Sequence, residues 1–194
     1  MSKIEQNKQK KRLAILRAAQ EQFLTAGYGL ANMDCIASEA QMTKQTVYRY
    51  YASKEVLFKA TLEHMGSQFD DKATQYLSLD DNHAALLGFA IEYISFHLSD
   101  EHIATFRLLV AESGNSPEII TNFFSVGPDD VQRVLIEFFQ QRFNVTDIET
   151  TVELWLGMLL NHRNKVLMGM TSPTRSEIEH YAEAATAFLL RAVE

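Results

Sequence analysis

The chain has 194 residues, 46% of them hydrophobic, with three prolines, eight glycines and one cysteine; this argues against extensive disorder, excludes an intrachain disulfide and favours long helices over a turn-rich β-sandwich. No apolar run reaches the roughly 18 residues of a membrane span, and Arg17, Gln20 and Glu21 break the apolar residues after the basic start at Lys8–Arg12, so a cytoplasmic protein is expected. The net charge of −7 hides a split, since residues 1–59 carry ten Lys/Arg against five Asp/Glu, a balance of +5, and the remainder carries −12; one end is suited to phosphate and the other is repelled by it.

Taken in chain order, apolar residues first recur as Ile15, Ala19, Phe23 and Ala26, a helical face ended by Gly27 as its C-cap. Lys8, Lys10, Lys11 and Arg12 before it form either a solvated tail or a mobile arm. Asn32 caps a short helix over 33–40 whose inner face is Met33, Ile36, Ala37 and Ala40. Thr43 caps a third helix over 44–50, and Ser53 a fourth that runs to about Leu77. Further helices are expected near 81–98, 101–113, 117–125, 128–143, 147–169 and 177–193. Proline at the first turn opens two of them, at Pro117 and Pro128. Ser176 and Glu179 have capping-box spacing for the last. The expected fold is all-α, with nine to ten helices: a three-helix helix-turn-helix domain over 1–53, then a larger helical domain over 54–194.

The stretch Ile15–Phe58 reads ILRAAQEQFLTAGYGLANMDCIASEAQMTKQTVYRYYASKEVLF. Its landmarks are Ala18-Ala19, Phe23, Gly27-Tyr28, Met33 with Ile36-Ala37, Thr46-Val47-Tyr48-Arg49-Tyr50-Tyr51 and Ser53-Lys54-Glu55. In this co-linear set, over about a quarter of the chain, it closely resembles the DNA-binding domain of the TetR family of transcriptional regulators. One landmark departs: the tight turn, usually glycine in the family, is Ala40-Gln41-Met42 here. A left-handed backbone at that point costs glutamine what it does not cost glycine.

A helix that enters the major groove must show short or polar side chains to base edges. Lys44, Gln45, Thr46 and Arg49 supply that face, with Val47 and Tyr51 turned inward. Arg49 suits guanine O6 and N7, Gln45 suits adenine, and Thr46 suits a thymine methyl. The resemblance implies a phosphate grip by Asn32, Thr43, Tyr48, Tyr50 and Lys54. Helix N-termini at 33 and 54 add attraction for phosphate.

Farther on, Phe106-Arg107-Leu108-Leu109, Glu112, Pro117-Glu118 and Gly127-Pro128-Asp129 resemble the C-terminal domain of the AefR-like subgroup. Aromatic and polar residues mix along 64–106, which points to a site for a lipophilic or planar ligand at Phe69, Phe89, Tyr93, Phe96, His97 and Phe106, joined by Phe124 and Trp155. The apolar helix at 147–169 and the last helix are the expected homodimer elements, through Trp155, Leu159, His162, Val166, Tyr181, Ala185, Phe188 and Leu189. Two-fold symmetry matches a palindromic operator.

No catalytic residue, cofactor or metal site is expected. His64, His83, His97, His102, His162 and His180 lack tight ligand spacing, Cys35 reads as a packing residue, and no glycine-rich phosphate loop or nucleophile elbow occurs. The expected function is a homodimeric repressor released from double-stranded operator DNA by a small-molecule effector. The alternatives are a ligand-dependent activator, an effector-independent regulator, and a helical scaffold that has lost DNA binding.

Overall fold

The computed structural model describes residues 2–125 and 128–193, with side chains described except at 66–71 and 128–130. Among the described residues there are eleven helices and no strand. By compactness the chain divides into two units, residues 1–66 with 107–126, and 67–106 with 127–194. This division differs from the boundary expected at 53/54, because residues 54–66 and 107–126 join the N-terminal unit.

The first unit begins with α1 (Lys3–Leu30), capped by the Ser2 hydroxyl, which accepts from the Glu5 N–H at 3.2 Å. The basic segment Lys8–Arg12 is therefore helical and not a loose arm. Gly27 interrupts α1 at φ 81°, ψ 161°, where an L side chain is strained. Then come α2 (Met33–Glu39) and α3 (Lys44–Tyr50). The Asn32 side chain accepts from Asp34 N–H at 2.8 Å and the Thr43 hydroxyl from Thr46 N–H at 3.2 Å, so both expected caps are present. Ser53 likewise accepts from Val56 N–H at 3.1 Å and starts α4 (Lys54–Tyr76). Apolar positions at helical spacing close one core through Ile15, Phe23, Ile36, Val47, Leu57 and Phe58, each 2% exposed or less. Full burial of such a side chain contributes about 1.5–3 kcal/mol. The Phe58 ring meets Phe23 and Tyr28 edge-on, each at 5.0 Å. The latter half of α6 (Asp100–Glu112) and α7 (Pro117–Phe124) complete this unit.

The second unit holds α5 (Asn82–His97), α8 (Pro128–Arg142), α9 (Ile148–Leu159), α10 (Asn161–Leu167) and α11 (Arg175–Val193), with the end of α4 and the start of α6. Here α11 packs on α5 and α9, and α8 packs on α9. Leu86, Phe89, Ile94, Leu135, Phe139 and Trp155 form its buried centre.

Two expectations are corrected. The helix expected over 147–169 is two helices, divided at Leu160, where ψ is 3°. The capping box of α11 is Thr174 with Glu177, not Ser176 with Glu179. The Glu177 carboxylate accepts from Thr174 N–H at 2.7 Å and holds its own pKa down by doing so.

Candidate DNA-reading face and ligand cluster

The turn between α2 and α3 sets how α3 is presented. Met42 N–H donates to Ala37 O at 2.8 Å and Gln41 N–H to Ser38 O at 3.0 Å, a Schellman closure of α2. The closure needs a left-handed residue, and Gln41 has φ 55°. The tight turn is thus kept despite the missing glycine.

With Val47 fully buried and Tyr51 5% exposed on the inner side, α3 turns Lys44, Gln45, Tyr48 and Arg49 to solvent. Asn32 and Thr43 are exposed as well, while Thr46 and Tyr50 are half-buried. Among the described residues Gln45 and Arg49 hold no side-chain partner. Lys44 is engaged: its ammonium lies 2.8 Å from Asp34 Oδ2, which raises its pKa chiefly through that hydrogen bond. Both groups are about half exposed, so the pair contributes little to stability.

Lys54 lies elsewhere than a phosphate grip would place it. Its Nζ donates to Tyr28 O at 2.8 Å, Gly29 O at 3.0 Å and Ala31 O at 3.3 Å, and lies 4.7 Å from the Tyr28 ring centroid. All three N–H groups thus close the end of α1. Gly29 N–H in turn donates to Glu112 Oε1 at 3.2 Å, and a β-carbon on Gly27 would come within 3.0 Å of that oxygen.

In the second unit, five of the expected ligand residues form a continuous row of rings. Trp155 stacks on Phe89 at 5.8 Å, Phe89 on Tyr93 at 5.7 Å, and Tyr93 lies 4.1 Å from His97. Phe96 is edge-on to His97 at 5.2 Å. His102, absent from the expected set, continues the row at 4.6 Å from His97 and 6.3 Å from Phe106. Arg163 closes it, with its guanidinium carbon 4.3 Å from the Phe106 centroid. The signal for His102 was local, since it stands four residues before Phe106; Arg163 sits in the polar stretch 161–165 and gave none.

Burial lowers the pKa of His97 to about 3, with His102 and Arg163 adding to it, and that of His102 to about 4, with Arg163 adding. Both are neutral imidazoles near pH 7. Neutral His97 donates from Nδ1 to Tyr93 O at 2.8 Å. Burial pushes the Tyr93 phenol up to about 12. Phe124 does not join the row: it lies in the first unit, 57% exposed, edge-on to Phe123. The Phe69 side chain lies outside the described residues.

The expected dimer residues also separate. Trp155, Leu159, Val166, Ala185 and Leu189 are at most 7% exposed and belong to the core of their own unit, because α11 must bury that face on α5 and α9. They are corrected from interface to core. Phe188 is 59% exposed, as is Leu154 at 65%. His162 and Tyr181 are half-buried and meet edge-on at 4.7 Å, and the Tyr181 hydroxyl donates to Met158 O at 2.9 Å. Beside them an open groove of about 680 Å³ is lined by His162, Lys165, Met170, His180 and Tyr181.

Among the described residues no group of three His, Cys, Asp or Glu could hold a metal, and no helix is long and apolar enough to cross a membrane. Residues 84–192 match the family described as AefR-like transcriptional repressor, C-terminal domain, and residues 15–61 match bacterial regulatory proteins of the tetR family. No curated protein matches the chain in sequence. Among solved structures, a candidate TetR-family transcriptional regulator from Mesorhizobium loti MAFF303099 is similar in fold, with a TM-score of 0.84 at 23% identity over 99% of this chain and 98% of that one. The flavonoid-responsive regulator FrrA is similar at 26% identity and a TM-score of 0.76, over 95% of this chain and 97% of its own. The fatty acid degradation regulator FadR from Bacillus halodurans shares the fold at 18% identity and a TM-score of 0.73, over 93% and 94%.

Proposed function

This chain belongs to the TetR family of DNA-binding transcriptional regulators, with an AefR-like C-terminal domain, and from that premise we propose that it is a homodimeric repressor released from a palindromic operator by a small aromatic or lipophilic ligand. Regulators of this family are transcription factors and not enzymes; they bind operator DNA and small-molecule effectors and act as dimers.

The observation that carries the reading is the outward face of α3, where Gln45 and Arg49 stand exposed and, among the described residues, unpartnered beside Lys44 and Tyr48. Bidentate donors of this kind discriminate base pairs. Asn32, Thr43, Tyr48 and Tyr50 surround that face and suit phosphate. The +5 charge of residues 1–59 favours docking that end on DNA. In this proposal residues 1–53 read the operator, and residues 54–194 sense and dimerise. The subunits pair through α9 and α11, whose exposed Leu154 and Phe188 supply an apolar face. FrrA is by its name flavonoid-responsive, and the ring row from Trp155 to Phe106 suits a compound of that planar kind.

Both α4 and α6 contribute residues to each unit. A ligand that displaces these helices changes the separation of the two recognition helices, so that they no longer fit half-sites one turn apart. Light scattering should give a dimer, and gel shifts should show an operator complex that a planar aromatic ligand dissolves. An operator complex strengthened by ligand would make the protein a ligand-dependent activator instead. Arg49→Ala should weaken operator binding by about 1–3 kcal/mol and relax base discrimination. Unchanged affinity for operator and random DNA would remove Arg49 from the reading face.

A further inference from the structure

Arg163 is a cation without a counter-charge among the described residues. It is half-buried on α10, its Nε is shut from solvent with no hydrogen-bond partner, and no carboxylate among the described residues pairs with it. Shutting a guanidinium N–H from water is costly unless an anion or another acceptor replaces the lost hydration. Among the described residues, the surroundings of Nε supply neither. Phe106 offers a ring face, and Tyr93, His97 and His102 are neutral near pH 7. Burial accordingly lowers the pKa of the guanidinium, with Tyr93 opposing the shift.

Two other polar atoms of the same row end the same way. His102 Nε2 and Trp155 Nε1 are buried without partners, on residues 9% and 0% exposed. Unsatisfied buried groups are rare enough that each calls for an explanation, and a bound molecule is one. What the row lacks is an acceptor with negative charge; what it offers is stacked ring faces. A phosphate would need more than one cation, whereas a monoanion needs one.

We propose that the effector is an aromatic monoanion, whose flat ring system stacks in the row formed by Phe96, His102 and Phe106 and whose acidic oxygen is the counter-charge of Arg163. This rests on the reading of the ring row as the effector site. The pairing is charge-assisted and in a partly dry setting, where an acid and its uncharged amide differ far more than they do in water. Arginine suits it better than lysine, since its planar fork can hold a carboxylate and still lie on Phe106.

The test uses the full chain and matched pairs of aryl carboxylates and carboxamides with one, two and three fused rings, titrated against the fluorescence of Trp155, the only tryptophan. At least one carboxylate should bind tenfold or more tightly than its amide. Arg163→Gln should erase that preference, and Arg163→Lys should keep most of it. Equal binding of carboxylates and amides to the unaltered protein leaves the effector site standing and overturns the anionic ligand; so does a preference that survives in Arg163→Gln. Binding of neither class overturns the site reading and this proposal together.

Discussion

At φ 55°, Gln41 holds a backbone conformation that an L side chain adopts at a cost of about 1 kcal/mol and glycine adopts without one. The two hydrogen bonds from Met42 and Gln41 require it, so the strain is intrinsic to the turn that presents α3. Gln41→Gly should therefore raise stability by about 1 kcal/mol, read from the urea midpoint with an unchanged slope. A lower midpoint would mean that the glutamine side chain contributes more than its backbone costs. This turn was legible from sequence because Gln41 stands where the resemblance calls for glycine. The row of rings was only half legible. Phe89, Tyr93, Phe96, His97, Phe106 and Trp155 announced themselves as aromatic or imidazole, whereas Arg163 reads as an ordinary surface cation until its burial is known.

At the level of helices, two cations hold the chain where a helix ends. Lys54 serves the end of α1, and Arg142 the turn that follows α4, donating to Leu79 O at 2.6 Å and Asp80 O at 3.1 Å while lying 4.6 Å from Phe138. The terminal carbonyls of α1 carry partial negative charge, so Lys54 satisfies orphan acceptors and the helix dipole at once. Lys54→Met should lower stability by about 2 kcal/mol in thermal or urea unfolding. If Lys54 instead served phosphate alone, the variant would melt normally and lose about one unit of salt dependence in DNA binding. Caps such as Asn32, Thr43 and Ser53 made helix starts readable in advance. The extension of α1 back to Lys3 was not readable, since its exposed polar turns have no hydrophobic period. The division at Leu160 was hidden in a run that is apolar on both sides of it. Ala185 misled in α11, where it packs with Ala182 in the core of its own unit.

For the whole molecule, the two buried imidazoles tie stability to acidity. Their folded pKa values, about 3 for His97 and about 4 for His102, lie below the ordinary 6.5. As pH falls through 6.5 the unfolded chain takes up protons that the folded chain does not, so stability is full above that point and declines toward pH 4. Between pH 7 and 5 the loss should be about 2 kcal/mol for each histidine. Urea unfolding at both pH values checks this, with a His97→Gln, His102→Gln double variant expected to show a shallower decline. Equal declines in the two proteins would show that these imidazoles do not govern it. The all-helical architecture, the exposed polar face of α3 and the charge split were readable in the chain because each rests on local pattern. The division into two units was not, since it depends on where α4 and α6 are shared.

Cys35, exposed on α2 one residue from Asp34, has one further consequence. It is the only thiol in the chain, so a single labelling step without mutagenesis places one spin label on each reading head. In the proposed homodimer the two labels form a ruler across the two half-sites of the proposed operator. Pulsed dipolar spectroscopy could then follow the spacing of the heads directly, with DNA, with effector, or with neither.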